Sequence, residues 1–120
     1  MKHSLKDDRA STFEQQVLVR ELGEKLGIKT ETGHEFLLMA LANAMLFDRK
    51  QQDYGSRNIN GFGTLGCLVR MNDKMERIKH LFNVKGRKTV AVNESIADSY
   101  RDISNYAIIA LMLEEDVWPK

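Results

Sequence analysis

Residues Gly63–Leu81 read GTLGCLVRMNDKMERIKHL and residues Val92–Met112 read VNESIADSYRDISNYAIIALM, and how these two stretches pair decides the fold. Each carries apolar residues at helical steps. In the first, Leu68, Met71, Met75, Ile78 and Phe82 recur at steps of three and four; in the second, Ile96, Tyr100, Ile103, Ala107 and Leu111 do the same. That period is the mark of a helix with one buried face, and these residues are the expected inward faces. The charges of the two stretches are opposite. Arg70 to Lys88 holds seven basic residues (Arg70, Lys74, Arg77, Lys79, Lys85, Arg87, Lys88) against Asp73 and Glu76, a formal +5. Glu94 to Asp116 holds six acids (Glu94, Asp98, Asp102, Glu114, Glu115, Asp116) against Arg101, a formal −5. Two amphipathic helices of opposite sign predict a packed pair with a charged cleft suited to phosphate or metal.

Working outward, Ser11 with Glu14 has capping-box spacing. Leu22 and Leu26 then continue a helical pattern that Gly27 stops. Thr32 with Glu35 opens a longer helix whose middle, Phe36–Phe47, is apolar almost all round. It is expected as the most buried helix, or as one face of a subunit contact. Tyr54–Thr64, with glycines at 55, 61 and 63, reads as the main loop. Thr64 is placed to cap the third helix. Residues 83–92 form a second loop, with a turn at Lys85–Lys88 and a short extended piece over 89–92, and Asn93 is placed to cap the fourth helix. The expectation is an all-α, four-helix bundle-like single domain over 1–120, with helices near 11–26, 32–53, 65–82 and 94–113 and residues 1–9 as a flexible arm. At 120 residues one core fits and two do not. The net charge of +1 argues against a general binder of long nucleic acid. One cysteine leaves no intrachain disulfide and no cysteine-based zinc cluster, and fits the cytoplasm. No apolar run nears the roughly 18 residues of a membrane span.

Two constellations can carry chemistry. Glu94, Asp98 and Asp102 fall at i, i+4, i+8 on one helix face, with Asp73 and Glu76 on the helix before. Carboxylates facing across two helices suit Mg²⁺, a hard cation that prefers oxygen. The same acids, beside Lys74, Arg77 and Arg101, also read as an ordinary inter-helix salt-bridge network. The second constellation is basic and aromatic: Arg57, Arg70, Lys74 and Arg77 near the glycine-rich loop, with Tyr54 and Phe62 in or beside it. Guanidinium forks match phosphate oxygens and aromatic rings stack on bases, so this set describes a nucleotide pocket. Phe62 reads equally as a plug over the end of the bundle. His3, His34 and His80 share no ligand spacing, Cys67 reads as packing, and no nucleophile–base triad is recognisable.

Three pieces carry a resemblance: KQQDYG at Lys50–Gly55, GCLVRMNDKMERIKHL at Gly66–Leu81, and VNESIADSYRDISNYA at Val92–Ala107. In them DYG, R-x-x-D-K-x-x-R, E-S-x-x-D and D-x-x-N-Y resemble the nucleotide modification associated domain, type one, a family of small phage and bacterial proteins, over roughly residues 46–112. The resemblance implies work on nucleotides. The last helix is also similar to that of the all-α MazG-like nucleoside triphosphate pyrophosphatases, which hold Mg²⁺ between an E-x-x-E and an E-x-x-D helix. Here Glu35 lacks its partner three residues on, and Glu94 and Asp98 stand four apart. A degraded metal quartet beside retained cations implies binding without hydrolysis and no cofactor. The leading expectation is therefore a phage immune-evasion sponge in the host cytoplasm, a homo-oligomer (dimer or tetramer) that sequesters a cyclic di- or oligonucleotide defence signal. Its ligand-binding residues would be Tyr54, Arg57, Phe62, Arg70, Lys74, Arg77, Asp98, Asp102 and Asn105. The alternative is a Mg²⁺-dependent pyrophosphohydrolase with its metal on Asp73, Glu76, Glu94, Asp98 and Asp102.

Overall fold

The structure, a computed structural model, describes residues 12–83 and 89–120. Among them stand four helices and no strand: α1 (Phe13–Lys25), α2 (Glu31–Tyr54), α3 (Arg57–Phe82) and α4 (Val90–Glu114). The all-α, four-helix class holds. The chain divides between Arg49 and Lys50, inside α2, into two compact units. The expected arm at 1–9, Ser11 and the turn at Lys85–Lys88 lie outside the described residues.

In the first unit, α1 opens one residue later than the Ser11 cap would place it. Thr12 takes the N-cap, accepting from the Gln15 amide at 3.1 Å and donating its own amide to the Gln15 side chain at 2.9 Å. This is a capping box in which glutamine replaces glutamate. At the other end Gly27 has φ +86°, and the Ile28 amide reaches back to the Gly23 carbonyl at 2.9 Å, the Schellman closure that favours glycine. α2 then starts at Glu31 rather than 32, because the Thr30 hydroxyl, not that of Thr32, accepts from the Gly33 amide at 2.9 Å. The two helices meet where Val19, Gly23 and His34 are buried. A Cβ on Gly23 would lie 2.6 Å from His34 Nδ1, so only glycine lets the imidazole sit this close. Arg20 braces the junction with a two-pronged bond to Glu31, at 2.8 and 2.6 Å. α2 is not the buried centre expected of it. Phe36 and Met39 are 75% and 59% exposed, and His34 is its one buried residue. Apolar side chains that run round a helix need partners on every side, and among the described residues of this unit a 13-residue α1 covers one side.

In the second unit, α3 and α4 form an antiparallel pair. Thr64 bonds Glu114 at 3.0 Å, Arg70 bonds Tyr106 at 3.3 Å, and Lys74 pairs with Asp102 at 3.1 Å, so the residue numbers of facing partners add to a near-constant value. α3 begins eight residues before the expected start. Arg57–Phe62 is already helical, and the stretch read as the main loop is a helical turn joined to the rest of α3 through Gly63, at φ 65° and ψ −159°. That backbone position is open essentially to glycine alone. Thr64 therefore does not cap; its hydroxyl goes to Glu114. α4 begins four residues early, because Thr89 caps it by accepting from the Val92 amide at 3.2 Å. Asn93 already donates its amide to the Thr89 carbonyl, and Val90–Val92 are helical rather than extended.

The inward faces match the expectation at Ile78 and Ile96, which are buried, and elsewhere sit about one residue behind it. The seam runs through Cys67, Arg70, Lys74 and Ile78 on α3 and through Ile96, Ser99, Ile103 and Tyr106 on α4. Cys67, Ile78, Ile96 and Ser99 are buried, whereas Leu68, Met75, Phe82, Tyr100, Ala107 and Leu111 are exposed. The shift has a cause. Small and polar residues (Cys67, Ser99) hold the seam, and Ser99 can be buried because its hydroxyl donates to the Ser95 carbonyl at 3.0 Å. Past α4 the chain returns to the α2–α3 corner. Trp118 is buried, its indole donates to the Ser56 carbonyl at 3.2 Å, and Asn60 donates to the Pro119 carbonyl at 2.6 Å.

Candidate functional site

Midway along the α3–α4 seam the apolar layers give way to a polar one. Arg70 and Lys74 lie one helical turn apart on α3, Asp102 and Tyr106 one turn apart on α4, and the antiparallel register sets each pair level with the other. Lys50, toward the C-terminal end of α2, completes the group. Its ammonium lies 3.4 Å from Asp102 Oδ1, while that of Lys74 lies 3.1 Å from Oδ2. One carboxylate thus holds two ammonium groups. Arg70 is held differently. Its guanidinium donates to the Tyr106 hydroxyl at 3.3 Å and stands 4.5 Å from the centre of the Phe62 ring. Among the described residues its charge is met by a phenol and a π face rather than by an acid. Phe62 reaches this place by folding over Gly66, where any side chain would collide with it. Beneath this layer burial pushes the Cys67 thiol above its ordinary value, with the Arg70 charge acting in the opposite direction.

Of the residues singled out in the sequence, the structure brings Phe62, Arg70, Lys74 and Asp102 together. Asp98 pairs within its own helix, with Arg101 at 3.2 Å. Arg57 and Arg77 are exposed, on the first turn of α3 and toward its far end, and Asn105 is half-buried on α4. Tyr54 is exposed one turn beyond Lys50, on the same face of α2. The acids considered for Mg²⁺ do not converge. Glu76 pairs with Lys79, Asp102 with two lysines, and among the described residues no three carboxylate, histidine or cysteine groups form a metal-holding cluster. Two members of the layer, Lys50 and Tyr106, went unassigned in the sequence reading. Both lie inside the motif pieces quoted above, and the antiparallel register would have found Tyr106 opposite Arg70.

One turn along each helix from this layer the polar character persists on one side. In an antiparallel pair, residues one position before the seam on each helix point to the same side of the hairpin. On that side stand Asp73 and Arg77 of α3 with Asp98, Asp102 and Asn105 of α4. The positions of the R-x-x-D-K-x-x-R, E-S-x-x-D and D-x-x-N-Y pieces therefore fall on the seam and on one face.

Residues 50–113 match the family model described as nucleotide modification associated domain 1. The chain belongs to this family. The match begins at Lys50, where the second unit begins, and covers the whole polar layer. No curated protein and no solved structure matches the chain.

Proposed function

We propose that the second unit binds the phosphate groups of a small nucleotide through Lys50, Arg70 and Lys74 and holds it without cleaving it, most simply as a sponge for a cyclic di- or oligonucleotide signal. The observation that supports this is the charge balance of the polar layer: among the described residues, three cations stand against one carboxylate, and the guanidinium bonds a phenol. Asp102 keeps the two ammonium groups in place until a phosphate takes its share of them, and the Arg70 fork supplies further donors in a fixed plane. Phe62 is occupied by Arg70, so stacking on a base falls to Tyr54, whose exposed ring stands one turn from Lys50. The family's description and the position of its motifs on this face agree with a nucleotide ligand. The rival reading, a Mg²⁺-dependent pyrophosphohydrolase, draws on the acidic side chains of the same face, but most of these are engaged by cations.

The deciding experiment incubates the pure protein with cyclic dinucleotides, cyclic oligonucleotides and linear triphosphates, removes free ligand, and recovers bound ligand by heating. Intact cyclic nucleotide, retained in EDTA, is the expected result. Release of cleaved product, stopped by EDTA and by Asp102→Asn, would establish the pyrophosphohydrolase instead. Failure to retain any nucleotide would remove both.

A further inference from the structure

The side of the α3–α4 hairpin opposite the polar face is apolar and open. Residues one position past the seam point to this side on both helices: Leu68, Met75 and Phe82 on α3, with Lys79 between the last two, and Tyr100, Ala107 and Leu111 on α4. All six are exposed, Leu68 at 54% and Leu111 at 59%. These are residues whose period marked them for a core. We propose that this face is the contact between two copies of the chain, which pack α3 of one against α4 of the other to complete a four-helix bundle with the polar faces outward.

Three observations choose a second copy as the occupant. The first is area. Half-exposed side chains of this size leave on the order of 100 Å² each open. Summed over the stripe this is several hundred Å², the same order as the roughly 800 Å² per partner that a stable pair buries. The second is topology. A two-fold axis along the helices sets each α3 over its partner's α4, and every neighbouring pair runs antiparallel, as the hairpin itself does, while Arg70, Lys74, Asp98 and Asp102 stay clear of the contact. The third is shape. Bulky residues line the α3 stripe, while Ser104 and Ala107 leave room between Tyr100 and Leu111 on α4.

Light scattering at tens of micromolar protein should give the mass of a dimer. The double variant Met75→Glu/Leu111→Glu, which places charge in the stripe, should give a monomer of unchanged helical content. The arrangement itself is read by mixing chains carrying Met75→Cys with chains carrying Tyr100→Cys, each with Cys67→Ser. An oxidised heterodimer is expected, because the two positions come level across the axis. A monomeric wild-type protein, a dimer that survives the double variant, or mixed chains that fail to link would each overturn the proposal. A surviving dimer would point instead to the exposed apolar residues of α1 and α2.

Discussion

Arg70 is placed so that losing it should matter more than losing any neighbouring cation. Its guanidinium is fixed by a phenol on one side and an aromatic ring on the other, so the fork is oriented before any ligand arrives. Arg70→Ala is expected to weaken nucleotide binding by about 1.5–3 kcal/mol, the range for a hydrogen bond to a charged group. Arg70→Lys should recover only part of this, since an ammonium group lacks the planar fork. Arg77→Ala, at an exposed position outside the layer, should change affinity far less. Calorimetric titration of the three variants separates them, and equal losses for Arg70→Ala and Arg77→Ala would place the site elsewhere. A second single-residue test lies in the first unit. Gly23→Ala gains about 1 kcal/mol of helix propensity. It also forces a methyl group into the His34 ring, and such overpacking costs about 1–3 kcal/mol. His34 is buried against α1, so the steric cost should win and the melting temperature should fall. A rise would mean that the imidazole moves easily.

At the scale of elements, the sequence told where the helices are better than where they begin. Every helix was legible from its period, but three of the four starts moved to a threonine that the spacing did not favour: Thr12, Thr30 and Thr89. Serine, threonine and asparagine all make good caps, so composition alone does not choose between neighbours; the choice falls to whichever hydroxyl the preceding turn presents. The α3 start moved furthest because glycines at 61 and 63 resembled a loop, whereas only Gly63 leaves helical geometry. The buried face was legible at Ile78 and Ile96 but misread at Leu68, Met75, Tyr100 and Leu111, for a similar reason. Period locates an apolar stripe, yet the hairpin has two such stripes, and the one with larger residues is the open one. Asp116, the residue after the Glu115 cap of α4, has φ 59°, a position better suited to glycine. Asp116→Gly should therefore stabilise the protein by about 1 kcal/mol in thermal unfolding. The Arg20–Glu31 bond carries a pH dependence. Its hydrogen bond and charge hold the Glu31 carboxyl below its ordinary value. The contribution is thus present above the unfolded carboxyl's value and disappears as pH falls through the lowered one. Urea melts of wild type and Glu31→Gln should differ near neutral pH and converge in acid.

For the molecule as a whole, a net charge near zero means that affinity for an anion must come from one face rather than from the overall field. Binding should weaken as salt rises, by less than for a protein that tracks a long nucleic-acid backbone. A steep salt dependence together with tight binding to long RNA or DNA would contradict a small-ligand site. The family match and the second unit share their starting residue, so the nucleotide chemistry is expected to reside in that unit, with the first unit outside the match. The way Trp118 closes the α2–α3 corner has a practical consequence. It is the sole tryptophan of the chain, and its enclosed indole donates to a backbone carbonyl beside the helix that carries Lys50. The protein thus contains its own optical reporter. Emission should be blue-shifted in the native state, shift red when the corner opens, and allow ligand capture and unfolding to be followed without any added label.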